Sequence, residues 1–258
     1  ELFITFSHPR DPDSDDDGVK DGDEWYLLGT DVNDDDSDDD DISDYDEDFD
    51  GDGLSNGIEL YITLTQFNNT NSDGDEFSDY YDDEDGDTLP NWFEVEMTNT
   101  DPLYNDTNDN GVYDWEEDPD NDELNNFWEW YYECDPLDSD SDNDQLTDYE
   151  EVYYTLTDPN NNDDDDDGIL DGQDDQDHDG LTNLQEIRTY DTNCTDWDSD
   201  DDMMRDGLEV NLGLDPLNPD SDDDGLYDGW FDANGNGIYE PLEGERGEDV
   251  NCNGIVDP

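Results

Sequence analysis

The sequence predicts an irregular repeat array with little regular secondary structure: short helical turns, an N-terminal strand, and no conventional apolar core. Three observations predict it. Acidic residues outnumber basic ones 88 to 5, for a formal net charge of -83. Hydrophobic residues make up 29% of the 258 positions, and even with the 21 glycines added they stay well under the apolar share of about 45–50% in globular domains. A twelve-residue carboxylate pattern also recurs fourteen times along the chain.

The charge excludes several functions at once. A chain with so few cations cannot hold nucleic acid or anionic lipid electrostatically. No apolar stretch approaches the about 18 residues of a membrane span, so membrane insertion is not expected. High charge with low hydrophobicity is the usual signature of disorder. Yet 12% of the residues are aromatic, with 15 Tyr, 8 Phe and 7 Trp, a composition foreign to acidic disordered tails. The remaining reading is a fold whose charge is neutralised by cations.

The repeat reads D-x-D-x-D-G-apolar-x-D-x-x-E, with Asp or Asn at positions 1, 3 and 5 and an acid at 12. The first five loops offer Asp13, Asp15, Asp17 and Glu24; Asp36, Asp38, Asp40 and Glu47; Asp48, Asp50, Asp52 and Glu59; Asn71, Asp73, Asp75 and Asp82; and Asp83, Asp85, Asp87 and Glu94. The next five offer Asp106, Asn108, Asn110 and Glu117; Asp118, Asp120, Asp122 and Glu129; Asp140, Asp142, Asp144 and Glu151; Asp163, Asp165, Asp167 and Asp174; and Asp175, Asp177, Asp179 and Glu186. The last four offer Asp198, Asp200, Asp202 and Glu209; Asp220, Asp222 and Asp224, with Phe231 at position 12; Asp232, Asn234, Asn236 and Glu243; and Asp249, Asn251 and Asn253, which stop short of position 12. Position 9 adds Asp21, Asp44, Asn56, Asp79, Asn91, Asp114, Asn126, Asp148, Asp171, Asn183, Asp206, Asp228, Glu240 and Asp257, each as ligand to a second ion or as a helix cap.

Loops mostly either abut, 12 residues apart, or are separated by a linker of 10 or 11 residues. Two loops and a linker make a unit of about 35 residues, marked by Trp25, Leu60, Val95 and Trp130 at the start of successive linkers. Single loops at Asp140 and Asp198 interrupt the beat. No composition shift divides residues 11–258, so the organisation reads as a strand-like segment over residues 1–10 followed by one tandem array.

Oxygen ligands at alternate positions of a tight loop, closed by an acid at position 12, are a calcium pattern. Carboxylates at 1, 3 and 5 turn inward as the backbone curls, and Gly at 6 supplies the positive φ of a sharp turn. The carbonyl of residue 7 completes the shell while its apolar side chain packs. Magnesium prefers a water-rich octahedral shell, and zinc or copper would want His or thiolate. Many Ca2+ ions are therefore expected, on the order of one per loop or more. At ten times its Kd, each adds about 1.4 kcal/mol, so the set rivals the about 5–15 kcal/mol of a whole domain.

Asp or Asn at position 9 is expected to cap a short helix over positions 10–13, which the T-D-P of Thr100-Asp101-Pro102 or Thr157-Asp158-Pro159 then ends. Asp41, Glu76, Thr88, Glu123, Gln145 and Met203 stand where Gly is wanted, which puts the turn in question there, most of all at β-branched Thr88.

On these residues the chain resembles thrombospondin type 3 repeats in their prokaryotic surface-protein version. The likeness runs over residues 11–258 and is plainest in YYTLTDPNNNDDDDDGILDGQD, Tyr153 to Asp174, and LGLDPLNPDSDDDGLYDG, Leu212 to Gly229. An apolar residue at 7 with a polar one at 8 departs from the helix–loop–helix EF-hand. The resemblance implies an irregular calcium-stabilised repeat array that is extracellular and without catalysis.

The remaining signals weigh less. Trp128, Trp130, Tyr131, Tyr132, Tyr153 and Tyr154 are expected as a small core between loops, ahead of a carbohydrate-binding stripe. His8 and His178 are too isolated for general-base chemistry, and an enzyme is not expected. Cys134, Cys194 and Cys252 allow one bridge, with Cys134–Cys194 the favoured pair, or three thiols. Sequons occur at Asn68, Asn105 and Asn193, near chance frequency. The absence of Met or a signal peptide at Glu1 fits a processed secreted chain or a fragment. The apolar run Leu2–Phe6 has nothing of its own to pair with, and the Asp249 loop lacks a closing acid. Head-to-tail association would satisfy both, and a contact of that kind left unclosed makes a filament. The expectation is a secreted or cell-surface calcium-binding structural protein, a filament subunit. The alternatives are a calcium-stiffened stalk of a larger adhesin and a high-capacity calcium buffer.

Overall fold

A computed structural model of the chain describes residues 10–221 and 227–229. The expected strand at Leu2–Phe6, His8, Cys252, the candidate ligands Asp222 and Asp224, and those of the Asp232 and Asp249 loops lie outside the described residues, as does the expected head-to-tail contact. The chain falls into two compact units. One comprises Glu1–Pro119, Asn125–Tyr131 and Asp135–Leu137; the other comprises Asp120–Leu124, Tyr132–Cys134 and Asp138–Pro258. Among the described residues both units are irregular, with helical segments of three to seven residues and no strand.

Each loop among the described residues is a coil closed by its own backbone. The position-9 amide donates to the carbonyl of the residue just before the loop, as in Asp44 to Asp35 (3.1 Å), Asn91 to Asp82 (2.7 Å), Asp148 to Ser139 (3.2 Å) and Asn183 to Asp174 (2.8 Å). The position-1 carboxylate then collects the amides of the turn: Asp140 accepts from Asp144 and Gln145, both at 3.1 Å. This forces left-handed backbone at positions 4 and 6. Five of the six residues standing in for Gly at position 6 adopt it, with φ of 75° at Asp41, 90° at Thr88, 86° at Glu123, 91° at Gln145 and 79° at Met203. Glu76 alone departs, because position 1 of its loop is Asn71. The Asn71 amide has no second oxygen to offer, and its Nδ2 donates to the Asp75 carbonyl instead (3.1 Å).

Position 9 is not the helix cap expected of it. The helices begin at position 9, at Asp21, Asn56, Asn91, Asp148, Asn183 and Asp206, and the cap falls one residue earlier. Thr147 and Thr182 each form a reciprocal capping box with the residue three positions on, and the Ser55 hydroxyl accepts from the Ile58 amide. Nor does the T-D-P sequence end the helix. A left-handed residue does so before it is reached: Gly29, Leu64, Asn99, Leu156 and Asp191 close segments ending at Leu28, Thr63, Thr98, Thr155 and Tyr190.

The linkers come in two forms that differ by one residue. Where a Thr stands six residues after the position-12 Glu, the segment widens into a π-turn, at Glu24–Leu28, Glu59–Thr63, Glu94–Thr98, Glu151–Thr155 and Glu186–Tyr190. Where five residues separate Glu129 from Cys134 or Glu209 from Leu214, the segment is a regular α-helix, at Asn126–Tyr132 and Asp206–Leu212. A π-turn is the standard way to house one inserted residue in a helix. Its effect here is to preserve docking between successive repeats. The position-5 carboxylate accepts an amide from the following repeat 28 residues on across a π linker, as Asp52 does from Tyr80, Asp144 from Gly172 and Asp179 from Gly207. Across an α linker the separation is 27, as Asp122 accepts from Tyr149 and Asp202 from Gly229.

Few apolar side chains are buried among the described residues, most of them from position 7, with Val32, Phe93, Cys134 and Cys194 besides. Val19, Leu54, Leu89, Leu124 and Leu146 at position 7 are wholly buried, with Leu181 and Met204 nearly so. Packing of position 7 does not hold for every loop, however. Ile42, Phe77, Val112 and Ile169, in loops that lead straight into another loop, are exposed by 46%, 57%, 39% and 44%. The aromatics expected as core are also largely at the surface, with Trp128, Tyr131, Tyr153 and Tyr154 all exposed. Cys134 and Cys194 are buried thiols with no disulfide between them.

Candidate metal centres

The loop geometry divides each carboxylate in two. At positions 3 and 5 one oxygen accepts the amide two residues on: Asp85 from Asp87 (3.0 Å), Asp87 from Leu89 (2.9 Å), Asp142 from Asp144 (3.1 Å), Asp144 from Leu146 (2.7 Å). These short bonds fix the rotamer and keep the second oxygen out of the turn; at Asp144 that second oxygen is the one that accepts from Gly172 of the following repeat. Buried Oδ2 atoms of Asp17, Asp50, Asp85, Asp87, Asp142, Asp177 and Asp200 accept no hydrogen bond. The ligand atoms of Asp13, Asp15 and Asp17 lie within 4.8 Å of one another, as do those of Asp36, Asp38 and Asp40, of Asp48, Asp50 and Asp52, and of Asp83, Asp85 and Asp87.

The position-12 glutamates are the strongest feature. Glu24, Glu59, Glu94, Glu151, Glu186 and Glu209 are 0% exposed, and the Oε2 of each accepts nothing. The linker positions them, because the helical turn that opens with these loops carries the side chain back under its own loop. In five cases a Thr hydroxyl from the linker end donates to Oε1: Thr30 (3.4 Å), Thr65 (3.3 Å), Thr100 (3.3 Å), Thr157 (3.1 Å) and Thr192 (3.3 Å). Glu209 has Leu214 in that place, and both of its carboxylate oxygens are without a hydrogen bond.

Burial, and then the neighbouring aspartates, push these carboxyls far above the usual range. Glu24, Glu59 and Glu186 rise to about 8, and Glu94 and Glu151 to about 9. Glu209, lacking the Thr hydroxyl, reaches about 10. Around them Asp85 and Asp142 rise to about 7, Asp200 to about 8, and Asp17, Asp87, Asp177 and Asp202 to about 6, again through burial first. A buried carboxylate without a partner is among the costliest groups a fold can hold, and it must be protonated or compensated by a cation.

In five of the centres a carboxylate of the following repeat also bears on the buried glutamate. The ligand atoms of Asp87, Glu94 and Asp114 all lie within 4.8 Å of one another, and all three residues are buried. Asp114 is position 9 of the next loop. In the same way Asp44 raises Glu24, Asp79 raises Glu59, Asp206 raises Glu186 and Asp228 raises Glu209. Position 9 is held by the residue at position 2, through both its amide and its hydroxyl, as Ser37 holds Asp44 (3.1 and 2.8 Å) and Ser72 holds Asp79 (2.7 and 2.8 Å). In four loops that directly follow another loop, position 9 is Asn instead. Its Nδ2 donates to the carbonyl twelve residues back, from Asn91 to Asp79, Asn126 to Asp114 and Asn183 to Asp171, each at 2.7 Å. Asn56 does the same to Asp44 (3.3 Å).

The predicted ligands thus separate into two sets that their shared motif does not announce. Among the described residues, loops leading into a linker bury the position-12 acid completely and leave positions 3 and 5 half-buried or buried. In those leading into another loop, the residues at positions 3 and 5 are exposed (Asp38 and Asp40, Asp73 and Asp75, Asn108 and Asn110, Asp165 and Asp167), and Glu47, Asp82, Glu117 and Asp174 are half-buried. Asp118 and Glu129 belong to the first unit, Asp120 and Asp122 to the second; Glu129 is wholly buried. Sequence reasoning missed the supporting hydroxyls at loop position 2 and at the linker end, although Ser or Thr recurs at both. Every donor in these clusters is oxygen, which suits a hard divalent cation. Comparison with protein-family models, with curated proteins and with solved structures finds no match.

Proposed function

We propose that the chain is an extracellular calcium-binding structural protein of the thrombospondin type 3 kind, in which calcium takes the place of an apolar core. One observation carries this reading: six wholly buried glutamates, each with a carboxylate oxygen that no protein donor meets. The donor chemistry selects calcium. The clusters offer several carboxylates at once, as a calcium shell requires, whereas magnesium holds several waters in a stricter octahedron. In the centre of Asp85, Asp87 and Glu94, the carboxylates of positions 3, 5 and 12 and that of Asp114 from the next repeat supply the ligands, so the ion joins neighbouring repeats as well as closing a loop. A structural role is favoured over a buffering one because buffering needs charge without fixed spacing, while here the linker adjusts by one residue to keep the docking bond.

The test is small-angle scattering and calcium counting on the intact chain in millimolar calcium and after chelation. The expected outcome is several ions per chain and a large expansion when they are removed. Glu94→Gln should lower the ion count without unfolding the calcium-loaded chain. A chain that keeps its dimensions in excess chelator would defeat the proposal.

A further inference from the structure

Resting on that reading, the geometry points to the Asp106 loop as one that takes no ion: it is closed by its own side-chain amides and forms a metal-independent clasp within the array. Its turn is ordinary. Asp106 accepts from the amides of Asn110 (3.0 Å) and Gly111 (2.9 Å), and Asn108 and Asn110 accept at Oδ1 from the amides two residues on (3.1 and 2.7 Å). In an aspartate loop such as that of Asp165 and Asp167, the same Oδ1 bonds are made at 3.1 and 2.8 Å, and the second atom of each side chain is a ligand oxygen.

In the Asp106 loop that second atom is an NH2. Both amides donate to one oxygen of Glu117, from Asn108 at 2.7 Å and from Asn110 at 2.8 Å. Two ligands have become two donors, and the closing acid is satisfied by them rather than by a cation. Flipping either amide to offer oxygen would set its NH2 against a backbone N–H, donor to donor, and would also remove its bond to Glu117. Hydrogen-bond accounting therefore holds the amides where they are, and a cation entering the loop would meet four N–H hydrogens in place of two carboxylate oxygens.

The experiment counts calcium per chain by native mass spectrometry on the intact protein at saturating calcium. Glu117→Gln should leave the wild-type count unchanged, and the double substitution N108D/N110D should raise it by one. Loss of an ion in Glu117→Gln, or no gain in the double variant, would overturn the inference. A second readout does not depend on uptake. In the wild type the side-chain amide protons of Asn108 and Asn110 should exchange slowly and shift downfield, and Glu117→Gln should abolish both effects. If the wild type took up no calcium, the wider reading would fall, and these resonances would still decide the clasp: fast exchange in the wild type would overturn it.

Discussion

At the scale of single residues, the loop imposes a backbone shape that side chains must accept. Thr88 shows the cost. Its φ of 90° lies in the left-handed half of the map, where a β-branched residue is strained by about 1–3 kcal/mol. The strain is accepted because the Thr88 amide donates to Asp83 Oδ2 at 2.9 Å, a bond available only in this conformation. Glycine would keep the bond and shed the strain, less its own entropic cost of about 1 kcal/mol. Thr88→Gly is therefore expected to stabilise the chain by about 1 kcal/mol, read as a higher thermal midpoint at fixed free calcium. A lower midpoint would mean that the Thr side chain makes an offsetting contact. The requirement for a turn at position 6 was legible in the sequence, but the exception at Glu76 was not. It depends on which oxygen of position 1 is free to accept, a detail that Asn71 shares in outline with the aspartates around it.

At the scale of elements, the linker is a spacer of adjustable pitch. Its 10- and 11-residue forms were visible in the sequence as unequal steps, yet their meaning was not, because a π-turn has no composition of its own. The docking bonds supply it. With 28 residues between Asp144 and Gly172 the extra residue is taken up by Glu151–Thr155, and with 27 between Asp202 and Gly229 a plain α-helix suffices. Deleting Leu156, the left-handed residue that closes the π-turn, should convert this linker to the α form and leave the docking intact. The Gly172 amide should then stay protected from hydrogen exchange. Deleting Val210 from Asp206–Leu212 offers no such slack, and should expose the Gly229 amide. The buried and exposed classes of loop were hidden for a related reason. The motif is common to both, and only the segment next in the chain, a linker or another loop, decides whether its position-12 acid is carried inward.

At the scale of the molecule, a charge of -83 must be neutralised before the chain can be compact, and protons and cations compete for the same buried sites. The sign of the pH dependence follows from the direction of the shifts. Glu94 and Glu151 rise from 4.5 to about 9 in the ion-free fold, so that fold binds protons more tightly than the unfolded chain. The stability it gains is complete below about pH 4.5, declines as pH rises, and is gone above about 9. Acid should therefore compact the metal-depleted chain, the reverse of ordinary acid denaturation. Falling net charge alone would also shrink an expanded polyanion, so the radius cannot separate the two causes, but proton release can. A divalent cation entering a centre at pH 7 must displace the protons held by glutamates with values of 8 to 10, whereas a carboxylate of ordinary pKa has none to release. Calcium titration by calorimetry in buffers of different ionisation enthalpy should show protons leaving with each buried ion at pH 7, diminishing as pH rises through 8 to 10. Calcium uptake with no proton release at pH 7 would place the ions on the exposed loops and leave the buried glutamates without the role assigned to them.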